Sequence, residues 1–452
     1  MSGHIVDLFG YSHALMGWLM ARAHDAISGI GSGLAGPAPP VADGLSNMGA
    51  VLVAPWFITL QTWLIAVTAV IMWCTAVNLL LMMWMERKFY SRLHDRVGIK
   101  IGLTSMGFLA NIPILGRLFT NFVKRPSHLG TGFLQNVADG VKLVQKENIT
   151  PAKADRFTFH VAPVLIAVST LLIFAGIPFS EGFALMKEPN ADGLPSNPLG
   201  ILFILAAFGL APIGILIGGW SSNNKYTLLG GMRSAAMLLS YEIPLILSIV
   251  AVVVLTGSLD PFEIVRQQTQ GLGEAMPPLS FLPGSGAAPL YIPNWFFLVQ
   301  FPAFLVFFIA ALAEQERIPF DLPEAEAELV EGWLTEYSGM RFGLVFGFKW
   351  LRGLAGSALL VILFLGGWTG PALATPWSIP TDTGTVPILL PPQELWFMLK
   401  VYGVFFLWVW ISWTFPRVRI DQILNIGWKK LIPLALLAIF LSIALRLFGV
   451  YR

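Results

Sequence analysis

The sequence predicts an all-α polytopic membrane protein of about eight transmembrane helices, with both termini on the non-cytoplasmic side and amphipathic helices at the surface. Three observations carry that prediction. Of the 452 residues, 56% are hydrophobic and only 12% charged, where a soluble domain carries about 25% charged residues. Mean hydropathy is +0.71. The apolar residues are gathered into runs of membrane-spanning length, which needs about 20 residues for a helix. A soluble fold could not hide so much apolar surface. These features exclude a soluble enzyme, a nucleic-acid binder and a disordered scaffold. The net charge of +2 also leaves no excess for binding polyanions.

Taken in order, residues 1–50 form an amphipathic N-terminal segment and a Gly/Pro-rich linker. The stretch 5–30 has no basic leader and reads as a surface helix rather than a signal peptide. A single membrane domain follows over 51–452. Its spans are 58–84, 161–179, 199–219, 235–256, 294–313, 342–365, 396–415 and 429–448. No repeat period runs through them.

Lys and Arg set the orientation. Loops 85–157, 219–235, 314–341 and 416–430 carry twenty of them, against five on the other side, with Lys349, Arg352 and Lys400 inside spans. The positive-inside rule makes the loops with twenty cytoplasmic. The glycine pairs 218–219 and 230–231 frame a polar cytoplasmic turn, SSNNKYTLL, which lacks the spacing of a phosphate-binding loop.

Redox metal is not expected in this chain. Cys74 is the one cysteine, and the six histidines all lie at or before position 160. One thiol builds no iron–sulfur cluster or structural zinc site, and facing helices have no histidine pair for haem. Any metal centre belongs to partners.

The fifth-span loop reads AEQERIPFDLPEAEAELVEGWLTEYSGMRFG over 313–343. Eight acids fall between Glu314 and Glu336, opposed by Arg317. Asp321 can N-cap a helix, with Pro323 in its first turn and Glu324 three residues on. A capped, solvated helix explains two or three of these acids. Glu324, Glu328 and Glu331 share a face at i, i+4, i+7, while Glu326 points away. Carboxylates packed this closely in a partly buried site cannot all ionise, a property suited to carrying protons.

Charges inside spans are costly and point to function. Glu242 lies in the fourth span, nine residues past Arg233, roughly 13 Å along a helix. Pro244 deprives the Ser240 carbonyl of its helical donor. Lys349 and Arg352 sit one turn apart in the sixth span and require anions, for which Glu336, Glu242 and Glu314 are the candidates. Lys400, near the outer end of the seventh span, is expected to snorkel to the interface.

Four blocks, in order, resemble one family. They are ERKFYSR at 86–92, GFLQNVADGVKLVQKENITP at 132–151, GGWSSNNKYTLLGGMRSAAMLLSYEIP at 218–244 and the acidic loop at 313–343. Over most of 55–450 the chain resembles the membrane protein known as subunit 1, or the H-type subunit, of respiratory complex I, the proton-pumping NADH:quinone oxidoreductase. The resemblance implies the membrane part of a quinone chamber where a soluble arm docks. It also implies the start of a proton path to antiporter-like subunits.

By motif, the resemblance places Glu242, Glu314, Asp321, Glu324, Glu326, Glu328, Glu336 and Lys349 on the proton path. It places Arg87, Arg96, Arg233 and Arg317 at the quinone or its entrance. Glu86, Lys88, Asp139, Lys142 and Glu147 fall at the docking edge for the soluble arm. It implies no catalytic residue, metal or covalent cofactor in this chain. A quinone, or a methanophenazine-like molecule, would be a substrate shared with neighbours. The implied partners are quinone-site and iron–sulfur soluble subunits, small membrane subunits, antiporter-like subunits and membrane lipid, and no nucleic acid. The implied location is a prokaryotic cytoplasmic membrane rather than the mitochondrial inner membrane.

The chain departs from the family pattern twice. Residues 97–132 interrupt the usual passage from the first-loop arginine to the LLQ-type block and are apolar enough to lie on the membrane. Lys349 stands where the family has an acid, and a buried lysine can itself carry a proton. Related alternatives are the equivalent subunit of a membrane-bound hydrogenase or formate hydrogenlyase, or of an F420H2:methanophenazine complex. A free-standing ion or proton transporter is the alternative of another class, disfavoured by the lack of an inverted repeat.

Overall fold

The computed structural model describes residues 78–96, 135–180, 194–270, 295–321, 329–370 and 393–448, together with 184, 186, 188–189, 373–381 and 384–390. The N-terminal segment, most of the first span, residues 97–132 and Glu324, Glu326 and Glu328 lie outside them.

Helices dominate. The first span is described from its C-terminal continuation, α1 (Asn78–Leu93), and α2 (Gln135–Gln145) lies in the first loop. The second span is α3 (Arg156–Gly176), started by Asp155, whose carboxylate accepts from the Phe157 amide. The third is two helices end to end, α4 (Gly200–Phe208) and α5 (Leu210–Ser221). The fourth is α6 (Lys225–Thr256), capped by Asn224 and closed by Gly257 in the left-handed conformation. A short α7 (Pro261–Gln270) follows. The fifth span is α8 (Phe296–Val299) with α9 (Phe301–Glu314), the sixth α10 (Gly339–Phe364), the seventh α11 (Gln393–Thr414). The eighth is α12 (Ile420–Asn425), a π-helical turn (Ile426–Leu431) and α13 (Ile432–Leu447) in one run. Six of these runs are long and apolar enough to cross a membrane, and Phe301–Glu314 is a shorter apolar helix.

Two short antiparallel ladders were not expected from the sequence. β1 (Glu188–Pro189) pairs with β2 (Pro195–Ser196), and β3 (Leu373–Thr381) with β4 (Gly384–Leu390). Both lie in connections between spans, leaving the helical architecture unchanged.

Glycine and proline decide how the helices meet. A Cβ on Gly219 would stand 2.7 Å from the Thr227 carbonyl and 3.1 Å from the Gly231 Cα. A Cβ on Gly230 would stand 2.7 Å from the Gly332 Cα and the Trp333 amide. The two glycine pairs therefore let α5 and α6 touch by their backbones, and let the 332–334 turn lie directly on α6. Close packing of this kind holds helices together where lipid removes the hydrophobic drive. Trp333, Tyr337, Phe159 and Leu238 fill the adjoining core, with the Phe159 and Tyr337 rings stacked at 4.2 Å.

Each proline within a span leaves the carbonyl four residues back without a helical donor. Pro163 frees the Phe159 carbonyl, which accepts from the Tyr337 hydroxyl at 3.1 Å. Pro212 frees that of Phe208, which Arg352 approaches at 3.5 Å. Pro244 frees that of Ser240, which faces Gly427 in the π-helical turn; a Cβ there would lie 3.4 Å from the oxygen. The carbonyls of Phe159 and Phe208 thus gain side-chain donors, whereas that of Ser240, the one the sequence singles out, faces a glycine.

Candidate functional site

The site is built where α1, α6, α9, α10 and the loop after α9 converge. Helix α9 ends at Glu314, and Glu316 then takes a left-handed φ of 50°. That reversal separates neighbouring charges in space. Glu314 is 3% exposed and pairs with the guanidinium of Arg352, itself 5% exposed. Glu316 accepts from the Ser234 hydroxyl on α6 and lies 3.9 Å from the Lys349 ammonium. Arg317 turns the other way, 3.2 Å from Glu86, with its guanidinium 4.0 Å from the centre of the Trp350 ring and 5.0 Å from that of Phe405.

Glu242 completes the inner end. The break between α4 and α5 brings Gly209 so close that a Cβ would lie 3.1 Å from a Glu242 oxygen. Glu242 and Glu314 both feel the Arg352 charge, and Glu314 also feels that of Glu242. Arg352 thus holds Glu314 and approaches the carbonyl freed by Pro212, and its charge reaches Glu242. Glu314 retains one buried oxygen without a hydrogen-bond partner.

Beyond the C-terminal end of α9, Glu86, Glu316, Arg317, Asp321 and Lys349 line a cavity of about 210 Å³ with aromatic walls from Phe346, Trp350 and Trp413. Burial pushes the Glu86 carboxyl above the usual carboxylate range, and the Arg317 charge opposes that rise. Asp321 is held by Arg417 at 3.3 Å. The helix that Asp321 was expected to cap falls outside the described residues. Three ion pairs, Glu86–Arg317, Glu316–Lys349 and Glu314–Arg352, with Glu242 within reach of the Arg352 charge, lie in series from the aromatic cavity into the span region.

The structure brings together Glu242, Glu314, Arg317, Asp321 and Lys349 of the residues singled out by sequence. Arg233 precedes the Ser234 that serves Glu316 on α6. Glu336 lies apart, accepting from Asn224 at 2.8 Å. Arg96 is exposed and stacks on Tyr90 at 4.8 Å, and Lys88 also lies on α1. Arg87 is tied to α2 by Asp139 at 2.5 Å and Asn136 at 3.2 Å, so these three join the first loop to α1. Lys142 and Glu147 are exposed.

Four placements correct the sequence reading. Glu86, expected at an exposed docking edge, is 9% exposed and faces the cavity. Lys349 pairs with Glu316 rather than with Glu336, Glu242 or Glu314. Lys400 does not snorkel: its ammonium is buried against the carbonyls of Leu365 at 2.6 Å, Gly367 at 3.0 Å and Thr369. These oxygens follow α10, where Gly366 and Gly367 reverse the chain with positive φ. Glu316 has no site role in the sequence reading. Two residues from Glu314, it would face away on a continuous helix, and only the left-handed turn redirects it.

The sequence profile of the NADH dehydrogenase family matches residues 65–443. The chain is 37% identical over 361 residues to the NADH-quinone oxidoreductase H subunit 2 of Rhizobium meliloti, covering 79% of this chain and 90% of that one. It is 39% identical over 361 residues to the NADH-quinone oxidoreductase H subunit of Dehalococcoides mccartyi, covering 80% of each. It is 39% identical over 350 residues to the protein of that name from Bacillus cytotoxicus, covering 76% of this chain and 90% of that one. With its membrane helices and buried charge series in place, the chain belongs to the NADH dehydrogenase family.

Proposed function

We propose that the chain is the membrane subunit of a complex I-like NADH:quinone oxidoreductase, at the junction between a quinone chamber and a proton path. The observation that carries this reading is the buried charge series opening into an aromatic-walled cavity. A quinone ring suits aromatic walls, and Arg317 and Lys349 supply donors for its oxygens. Two electrons from an iron–sulfur centre on a partner subunit and two protons turn the quinone into a quinol. The chain's part is electrostatic. Negative charge appearing on the quinone draws on the cations Arg317 and Lys349, weakens their hold on Glu86 and Glu316, and changes which carboxylates hold protons. Glu314, Arg352 and Glu242 pass that change inward.

On this reading the partners are the iron–sulfur and quinone-site subunits of a soluble arm and the small and antiporter-like subunits of the membrane arm, in a prokaryotic cytoplasmic membrane. Glu324, Glu326, Glu328 and Glu336 belong to the same path, and Arg87, Arg96 and Arg233 to the approach of the quinone. Isolation of the chain from mild-detergent membranes, with mass spectrometry of the co-purifying proteins, tests the assignment. Recovery with iron–sulfur and antiporter-like subunits supports it. Recovery with a nickel–iron hydrogenase subunit, or alone and stable, contradicts it.

A further inference from the structure

A second cavity, of about 490 Å³, lies outside the charge series, between the start of α3 and the turn from α5 to α6. Lys153, Asp155, Thr158, Trp220, Asn223 and Lys225 line it among others. It is the SSNNKY turn that brings these groups together. Asn223 takes a left-handed φ of 51° and donates to the Lys153 carbonyl at 3.2 Å, tying the turn to the chain entering α3. Asp155 and Asn224 cap α3 and α6 and satisfy backbone amides there, so the helix ends are not open anion sites. What remains to meet a ligand is side-chain charge. Lys225 lies 5.0 Å from the Tyr226 ring centre, and among the described residues neither Lys153 nor Lys225 is paired with a carboxylate.

Exposed aromatic rings stand beside the cavity. Trp220 stands 65% exposed at the end of the third span, and Phe157 is 76% exposed in the first turn of the second. Exposed aromatics at the ends of spans mark the membrane–water interface. Two cations and one carboxylate beside such rings complement a headgroup that carries a phosphodiester and, a few atoms away, a primary ammonium. A purely anionic headgroup would leave Asp155 facing a negative charge. A quaternary ammonium has no N–H to give it.

We propose that this cavity binds the headgroup of a phosphatidylethanolamine, with Lys153 and Lys225 on the phosphate, Asp155 accepting from the ammonium, and Trp220 and Phe157 flanking the acyl chains. The bound lipid lies next to the acidic loop, because Asn224 holds Glu336 at 2.8 Å.

The test uses the intact detergent-solubilised complex, delipidated and then titrated with micelles containing phosphatidylethanolamine, phosphatidylcholine or phosphatidylglycerol. Retained lipid is counted by native mass spectrometry. The expected result is one phosphatidylethanolamine held in preference to the other two, and lost about thirtyfold more readily from the Lys153→Gln/Lys225→Gln variant. All three charged groups are exposed, so these changes leave folding intact. Asp155→Asn keeps the cap but removes the charge. It retains lipid with no preference between phosphatidylethanolamine and phosphatidylcholine, a readout that a structural role for Asp155 does not move. Equal retention of phosphatidylglycerol by the unaltered protein, displacement by inorganic phosphate alone, or unchanged retention in the double-lysine variant overturns the proposal. So does a photo-cross-linker at Leu228 that labels a soluble subunit and no lipid.

Discussion

Replacing Lys349 with methionine removes the ammonium 3.9 Å from Glu316 and leaves the Ser234 hydroxyl donating to that carboxylate. The side chains of Lys349 and Glu316 are 15% and 4% exposed, so solvent screens the pair little. At that separation, with an effective dielectric constant near 20, the lost attraction is about 4 kcal/mol. One pK unit corresponds to about 1.4 kcal/mol, so the protonated form of Glu316 gains roughly a thousandfold. The change is read in the intact complex by infrared difference spectroscopy, as a new carbonyl band of a protonated carboxylic acid that Glu316→Gln abolishes. Proton translocation per electron falls, and quinone reduction slows with it, because Lys349 also lines the cavity proposed for the quinone. The Lys349→Met/Glu316→Gln pair, both neutral, recovers part of the loss, giving a coupling energy above about 1 kcal/mol in the double-mutant cycle. Simple additivity, or no carboxylic band in Lys349→Met, would refute the reasoning that these two charges act as a unit.

Other perturbations test other parts. Gly230→Ala sets a Cβ 2.7 Å from the Gly332 and Trp333 backbone; it is expected to cost about 1–3 kcal/mol, seen as faster thermal inactivation of the complex. Lys400→Met leaves the carbonyls after α10 without their donor, at about 1–3 kcal/mol for each one left dry; the melting temperature falls while the quinone KM stays constant. Burial pushes the Tyr337 hydroxyl up to about 12, so the neutral phenol is favoured in the fold. Its contribution is complete below pH 10, the unperturbed value, and is lost as pH rises toward 12. The stability difference between the unaltered protein and Tyr337→Phe should shrink over that window in alkaline denaturation.

The span pattern was legible in the sequence because membrane helices must be apolar over a fixed length. Seven of the eight expected spans coincide with described helices, and α1 continues the first. Span ends follow local chemistry: Asp155 and Asn224 cap, Gly257 closes. The individual pairings were not legible. Glu316 joins the site through a left-handed residue that no periodicity announces, and Glu86 joins because Arg317 turns outward from α9 rather than inward with Glu314. Lys400 misled because snorkelling is the usual fate of a lysine near a span end. Here three carbonyls released by the Gly366–Gly367 reversal solvate its ammonium inside the protein. The β3–β4 hairpin went unforeseen because its residues are fixed by pairing with each other, not by the membrane.

The most direct test of the quinone assignment is photolabelling of the intact complex with an azido-quinone, followed by peptide mapping. Labels are expected on the cavity walls at Phe346, Trp350 and Trp413, competed by unlabelled quinone and diminished in Arg317→Met. Saturable labelling confined to residues away from this cavity, unaffected by Arg317→Met, would contradict it.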